Sequence, residues 1–136
     1  MLPHNYKIKT QPDLFIAWDK DLGKFADPKE YISFCSLAEN PWEEGKIHIQ
    51  ALGRYIKLNY AGINDKRGRK IFESYIVCAK YKLLGKSYKI VGVVEFERSG
   101  FVITDTSGTT STLSAFDPED LEILGNIFQN RDLLKE

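Results

Sequence analysis

From residue 46 onward the chain alternates between apolar and polar positions. Ile47, Ile49 and Ala51 take one parity, Lys46, His48 and Gln50 the other, and the alternation returns over residues 55–60. A period of two marks a half-buried β-strand. Asp65-Lys66-Arg67-Gly68 reads as a hairpin tip, because Gly supplies a positive φ without steric penalty. Residues 71–83 are strand material rich in Ile, Val, Phe and Tyr, and Leu84-Gly85-Lys86-Ser87 is a turn. Residues 88–96 are strand again, Arg98-Ser99-Gly100 a turn and 101–104 a strand. Strands of this length joined by tight turns predict a small barrel or sandwich rather than a parallel sheet.

The first 45 residues follow another pattern. Residues 8–18 have strand composition, but Pro12 removes a ladder donor, so a strand there starts after it or lies at an edge. Asp19 to Lys24 form a turn. Asp27-Pro28-Lys29-Glu30 resembles a helix start, with Asp as cap and Pro at the first helical position. The short helix predicted from there ends at Asn40-Pro41. At the other end of the chain, Asp117-Pro118-Glu119-Asp120 opens a run in which Leu121, Leu124, Ile127 and Phe128 share a helical face. Gly125 in mid-run weighs against a helix. The reading adopted is a helical turn at 117–120, a strand at about 121–128 and a last turn at 130–134.

Composition narrows the class. The chain has 136 residues and is 43% hydrophobic, enough for a core without a metal or disulfide. Cys35 and Cys78 form no CxxC, and Cys78 in an apolar run reads as a small buried hydrophobe. The N-terminus has no apolar signal region and no run approaches a membrane span, so a cytosolic protein without a membrane partner is expected. The formal net charge is zero but is unevenly spread. Residues 1–45 carry five Lys/Arg against eight Asp/Glu, residues 46–98 twelve against four, and residues 99–136 two against seven. Either a basic face awaits an acidic partner, or acidic termini fold back beside a basic middle.

The inventory of reactive groups argues against an enzyme, a metal site or a cofactor. His4 lies near the terminus and His48 at a polar strand position. HExxH, clustered Cys/His, a nucleophile elbow and a Walker loop are all missing. Glu43-Glu44 reads as a turn, and Glu95 and Glu97 as one solvated strand face. The Ser/Thr-rich segment 104–112 could offer backbone N–H groups to a phosphate, yet lacks the Lys and helix that make such loops specific, and reads as a mobile surface loop.

The basic tract Lys66-Arg67-Gly68-Arg69-Lys70 is the sharpest functional candidate, since cations around a hairpin tip could straddle phosphates of DNA or RNA. Lys80, Lys82, Lys86 and Lys89 could extend that surface, with Tyr81 and Tyr88 stacking on bases of a single strand. The competing reading is that cations at hairpin tips and edges block edge-to-edge pairing. Trp42, if exposed, is an interface anchor; otherwise it packs an N-terminal segment onto the sheet.

Four phrases in order carry a resemblance. They are Ala17-Trp18-Asp19-Lys20; Tyr60-Ala61-Gly62-Ile63 followed by Asp65-Lys66-Arg67-Gly68 and Ile71-Phe72-Glu73-Ser74-Tyr75-Ile76-Val77; Val91-Gly92-Val93-Val94-Glu95-Phe96; and Gly125-Asn126-Ile127-Phe128-Gln129-Asn130 closing on Leu133-Leu134. This chain resembles the YopX family of phage and prophage proteins. One departure is clear: where the family usually has Gly-Asp after the Glu, this chain has Ser74-Tyr75. The resemblance implies an SH3-like barrel and no particular activity.

The resulting expectation is a mainly β (α+β) protein. Residues 1–45 form a strand and short helix packing on a small, strongly bent antiparallel sheet of residues 46–136. The core is expected to include Ile47, Ile49, Tyr55, Ile76, Cys78, Val91, Val93, Phe101, Ile103 and Ile127. The function expected is that of a non-enzymatic phage or prophage accessory protein in the host cytoplasm, binding a host or phage protein, with Trp42 or Tyr75 as interface residues. Nucleic-acid binding through Lys66, Arg67, Arg69, Lys70, Lys80 and Lys82 is the alternative. A structural homo-oligomer with Tyr75 at its contact is the third reading.

Overall fold

The computed structural model describes residues 15–26, 54–98 and 100–134. It is mainly β, as expected. The expected helix after Asp27, the strand at 46–51, and Ile47, Ile49, Cys35 and Trp42 lie outside the described residues. So does the expected boundary at residue 45. Two compact units meet between Asn59 and Tyr60, inside a single strand.

In the first unit, β1 (Phe15–Asp19) pairs antiparallel with β2 (Lys24–Phe25) and with the first half of β3 (Tyr55–Asn64), in the register Phe15↔Asn59 to Asp19↔Tyr55. The β1–β2 turn is built on the buried Asp19. Its Oδ1 accepts hydrogen bonds from the N–H groups of Asp21 (3.0 Å) and Leu22 (3.1 Å). Gly23 closes the turn at φ +65°. The Arg54 guanidinium donates to both Asp19 oxygens at 2.9–3.1 Å.

In the second unit, the latter half of β3 pairs with β4 (Lys70–Phe72) across a bulge. Five strands then form one antiparallel sheet in the order β8-β7-β6-β5-β9, curled strongly into a half-barrel. They are β5 (Tyr75–Leu83), β6 (Lys86–Glu97), β7 (Gly100–Asp105), β8 (Thr110–Thr112) and β9 (Leu121–Asn126). Short 3-10 helices at Leu113–Ala115, Pro118–Asp120 and Arg131–Leu134 complete it. The C-terminal reading of turn, strand and turn therefore holds. Gly125 is needed there: a Cβ would lie 2.3 Å from the Asn130 side-chain oxygen, which accepts a hydrogen bond from the Asn126 N–H.

Ile71, Val77, Ala79, Val94, Ile103, Leu113 and Leu121 form the core. Of the expected core, Tyr55, Ile76, Cys78 and Ile103 are buried, whereas Val91, Val93, Phe101 and Ile127 are half-buried. Residues 90–94 are apolar on both parities, apart from Gly92, so pattern cannot choose a face. The fold chooses Val94, while Val91 and Val93 stand opposite Cys78 and Ile76 on the other face. Gly92 sets how closely β6 and β7 approach, because a Cβ there would meet the Thr104 carbonyl oxygen at 2.4 Å.

Two local readings need correction. Residues 71–83 are not one strand: Glu73-Ser74 breaks them into β4 and β5, with Ser74 at φ +70°. Its N–H donates to the Val94 carbonyl and its own carbonyl accepts from Ile127, which holds the break in place. Residues 104–112 are not one loop: they end β7 and form β8, with an exposed turn at 106–109 between them.

Ser74→Gly should stabilise the protein by about 0.5–1 kcal/mol, the left-handed penalty less the entropic cost of Gly. Gly92→Ala should cost roughly 2–3 kcal/mol, because backbone rather than a pliable side chain opposes the new methyl. Urea midpoints at unchanged m-value check both.

Candidate functional site

The β3–β4 turn is organised by one carboxylate. Asp65 is only 2% exposed. Its Oδ1 accepts from the N–H groups of Arg67 and Arg69, each at 3.0 Å. Its Oδ2 accepts from Arg69 Nε (3.2 Å), Arg69 Nη2 (2.9 Å) and the Ile123 N–H (3.2 Å). Burial pushes the Asp65 pKa up, but donation from the Arg69 and Ile123 backbones, the Arg69 guanidinium and the Arg67 backbone outweighs it, and the net shift is downward. Two further bonds fasten the turn to β9: the Lys66 N–H donates to the Leu121 carbonyl (2.8 Å) and Arg69 Nη2 to the Ile123 carbonyl (3.2 Å).

This geometry sorts the basic tract. The Arg69 side chain is held by Asp65 and β9. Lys66 Nζ and Arg67 Nη2 lie 3.5 and 3.9 Å from the two oxygens of Glu122, in long, partly exposed and therefore weak pairs. Lys70 Nζ stands over the Tyr60 ring at 5.9 Å.

Residues 105–109 repeat the device. Asp105 Oδ1 accepts from the N–H groups of Ser107 and Thr109 and from the Ser107 hydroxyl, and Gly108 takes φ +86°. The backbone donors considered for a phosphate are thus already satisfied by a carboxylate, whose pKa the Ser107 hydroxyl above all pulls down.

The β5–β6 hairpin differs from these turns. Residues 80–89 are all exposed. Lys80 pairs with Lys89, Tyr81 with Tyr88, Lys82 with Ser87 and Leu83 with Lys86. Alternation puts Lys80, Lys82, Ser87 and Lys89 on the Cys78 face, and Tyr81, Leu83, Lys86 and Tyr88 on the other. The two tyrosine rings stack at 5.4 Å and 20°. A cleft of about 690 Å³ runs beside the hairpin, bordered by Lys80, Tyr81, Tyr88, Lys89 and Asp120. At the tip, Leu84 and Gly85 have φ +53° and +80°. Positive φ at both central positions is the type I′ turn, which favours Asn-Gly or Asp-Gly. Leu84 is 96% exposed and Leu83 57%.

Sequence reasoning passed over Leu83 and Leu84. The available signal was Leu-Gly in a polar tip where Asn-Gly is the rule. Tyr75, expected at an interface, is half-buried, with its ring 5.7 Å from that of Phe72. Burial raises its pKa, against the pull of Arg69.

Among the described residues no three His, Cys, Asp or Glu side chains gather as a metal site, and no helix is long and apolar enough to cross a membrane. A family model described as YopX protein matches residues 14–135. The chain belongs to the YopX family. No curated protein matches it. Of the Ser74-Tyr75 pair, Ser74 is the residue in the left-handed region, where Gly would carry no steric penalty.

Asp65→Ala should destabilise the protein by about 3 kcal/mol, by stranding Arg69 and three backbone N–H groups. Because the Asp19, Asp65 and Asp105 pKa values are all lowered on folding, their contribution is complete above the ordinary Asp value of about 3.9 and is lost as pH falls below it. Urea unfolding from neutral pH to about pH 2.5 should show a flat limb and then a decline, shallower in Asp65→Asn.

Proposed function

We propose that this YopX-family chain is a non-catalytic binding module that docks on a protein partner through the tip of the β5–β6 hairpin. The observation that carries this reading is Leu84. A bulky residue held in the left-handed region costs roughly 1–2 kcal/mol, and its side chain lies 96% in water. Neither feature helps the fold, and strain kept at an exposed apolar tip is a mark of function.

The tip also describes its partner. Leu84 and Leu83 fit an apolar pocket, and the flanking Lys82 and Lys86 call for acidic groups around its rim. A phage or prophage accessory protein would find such a partner, of host or phage origin, in the host cytoplasm. The shifted carboxylates Asp19, Asp65 and Asp105 are each engaged in building a turn, which supports a role without catalysis.

Leu84→Asn tests this directly. Asn tolerates the left-handed region and makes the favoured Asn-Gly turn, so stability should rise by about 0.5–1 kcal/mol. Partners recovered from host lysate with wild type and variant are compared by quantitative mass spectrometry, and the differing protein is purified and titrated by calorimetry. A partner whose affinity falls about thirtyfold or more in the variant supports the reading. Identical partner sets and affinities would refute it.

A further inference from the structure

Lys66 and Arg67 are far in sequence from Lys80, Lys82 and Lys89, yet strand register brings them to one face. Glu122 pairs with Cys78 across β5 and β9, so its side chain stands on the Cys78 face. Lys80 and Lys82 continue that face along β5, and Lys89 lies opposite Lys80. From the β3–β4 turn, Lys66 and Arg67 reach the same Glu122 at 3.5 and 3.9 Å.

We propose that Lys66, Arg67, Lys80, Lys82 and Lys89 form a strip that binds the phosphate backbone of duplex nucleic acid without regard to sequence. Glu122 occupies the place of a phosphate between Lys66 and Arg67. Its two ion pairs are loose, and Arg67 is 65% exposed, so exchange for a phosphate is easy. Arg69 is excluded because Asp65 and β9 hold its guanidinium. Lys70 is excluded because its ammonium lies over Tyr60.

The face also says what it does not bind. Tyr81 and Tyr88 take strand positions on the opposite face and stack on each other, so the two rings that share the cleft with Lys80 and Lys89 are engaged with one another rather than interleaved among the cations. Protein interfaces centre on a buried apolar or aromatic anchor. Here Cys78 is already buried and Val91 half-buried, which leaves a row of flexible cations suited to a repeating anion. Asp120 borders the cleft by Lys80 and Lys89, and Asp105 and Asp117 line a second cleft with Lys80 and Lys82, so carboxylates along that side lower the charge of the strip.

The test is fluorescence anisotropy of the full chain with a labelled random duplex of about 24 base pairs, from about 20 to about 200 mM NaCl. About four phosphate contacts give a log–log salt slope near −3.6. Replacing Lys80 and Lys82 together by Ala should weaken binding about tenfold or more at low salt and flatten the slope by about 2. Glu122→Gln should tighten binding severalfold, an effect that a structural role for Glu122 would not produce. Lys70→Ala and Leu84→Asn should leave it unchanged, which separates this strip from the hairpin tip. No binding at the lowest salt, or equal affinity after loss of Lys80 and Lys82, would overturn the proposal. Polyglutamate competing as well as duplex at equal charge would also overturn it, and would assign the strip to acidic proteins.

Discussion

A carboxylate removed from water must regain the hydrogen bonds that it leaves behind, or its burial costs several kcal/mol. Asp65 meets that demand with three backbone N–H groups and a guanidinium, drawn from the β3–β4 turn and from β9. Those donors are 2 to 58 residues away in sequence. Satisfying one side chain therefore fixes the tip of one hairpin against the edge strand of the half-barrel. Because β9 pairs with β5, the same constraint places the basic turn beside the strand that leads out to Lys80 and Lys82. It also removes Arg69 from any surface role. Fold and charge distribution are set here by one interaction.

The device recurs. Asp19 and Asp105 cap their own turns with the same side-chain-to-backbone bonds, and each turn is closed by a Gly in the left-handed region. Asn126 accepts from Phe128 and Gln129 in the same way. In each of these turns Asp or Asn mimics the missing backbone bond, and at Asp19 and Asp65 an Arg guanidinium adds to it. The Leu84-Gly85 tip stands apart from them. Its side chain neither accepts from the backbone nor tolerates its own φ well. The hairpin keeps its shape through the ladder behind it and presents at its tip a residue that the turn itself does not favour.

These differences explain what the sequence made visible. Asp followed three or four residues later by Gly is a local signal, and the turns at Asp19 and Asp65 were legible from it; the third, at Asp105, carried the same signal but was masked by its Ser/Thr-rich surroundings. Gly125 was legible too, as an obstacle to a helix, although the Asn130 side chain that requires it was not. The break at Ser74 was hidden because Ile71 to Leu83 contain neither Gly nor Pro, and tertiary bonds from Ser74 to Val94 and Ile127 hold it in place. The facing of β6 was hidden because its centre is apolar on both sides. The basic tract was visible as composition, but composition does not show which cation a buried carboxylate holds.

The uneven charge of the chain is resolved in part by the same geometry. Glu122, from the acidic last third, reaches Lys66 and Arg67 of the basic middle, and Asp120 borders the cleft beside Lys80 and Lys89. Acidic residues thus do fold back on basic ones, yet the two Glu122 pairs are long and partly exposed, and such pairs contribute little and exchange readily. Arg69 is tied to a buried carboxylate that is also bonded to three backbone N–H groups and is therefore structural, whereas Lys66 and Arg67 remain available to a stronger anion. Net charge near zero is therefore compatible with a local cationic face. What matters is the burial of each carboxylate partner, and that follows from strand register rather than from the count of charges.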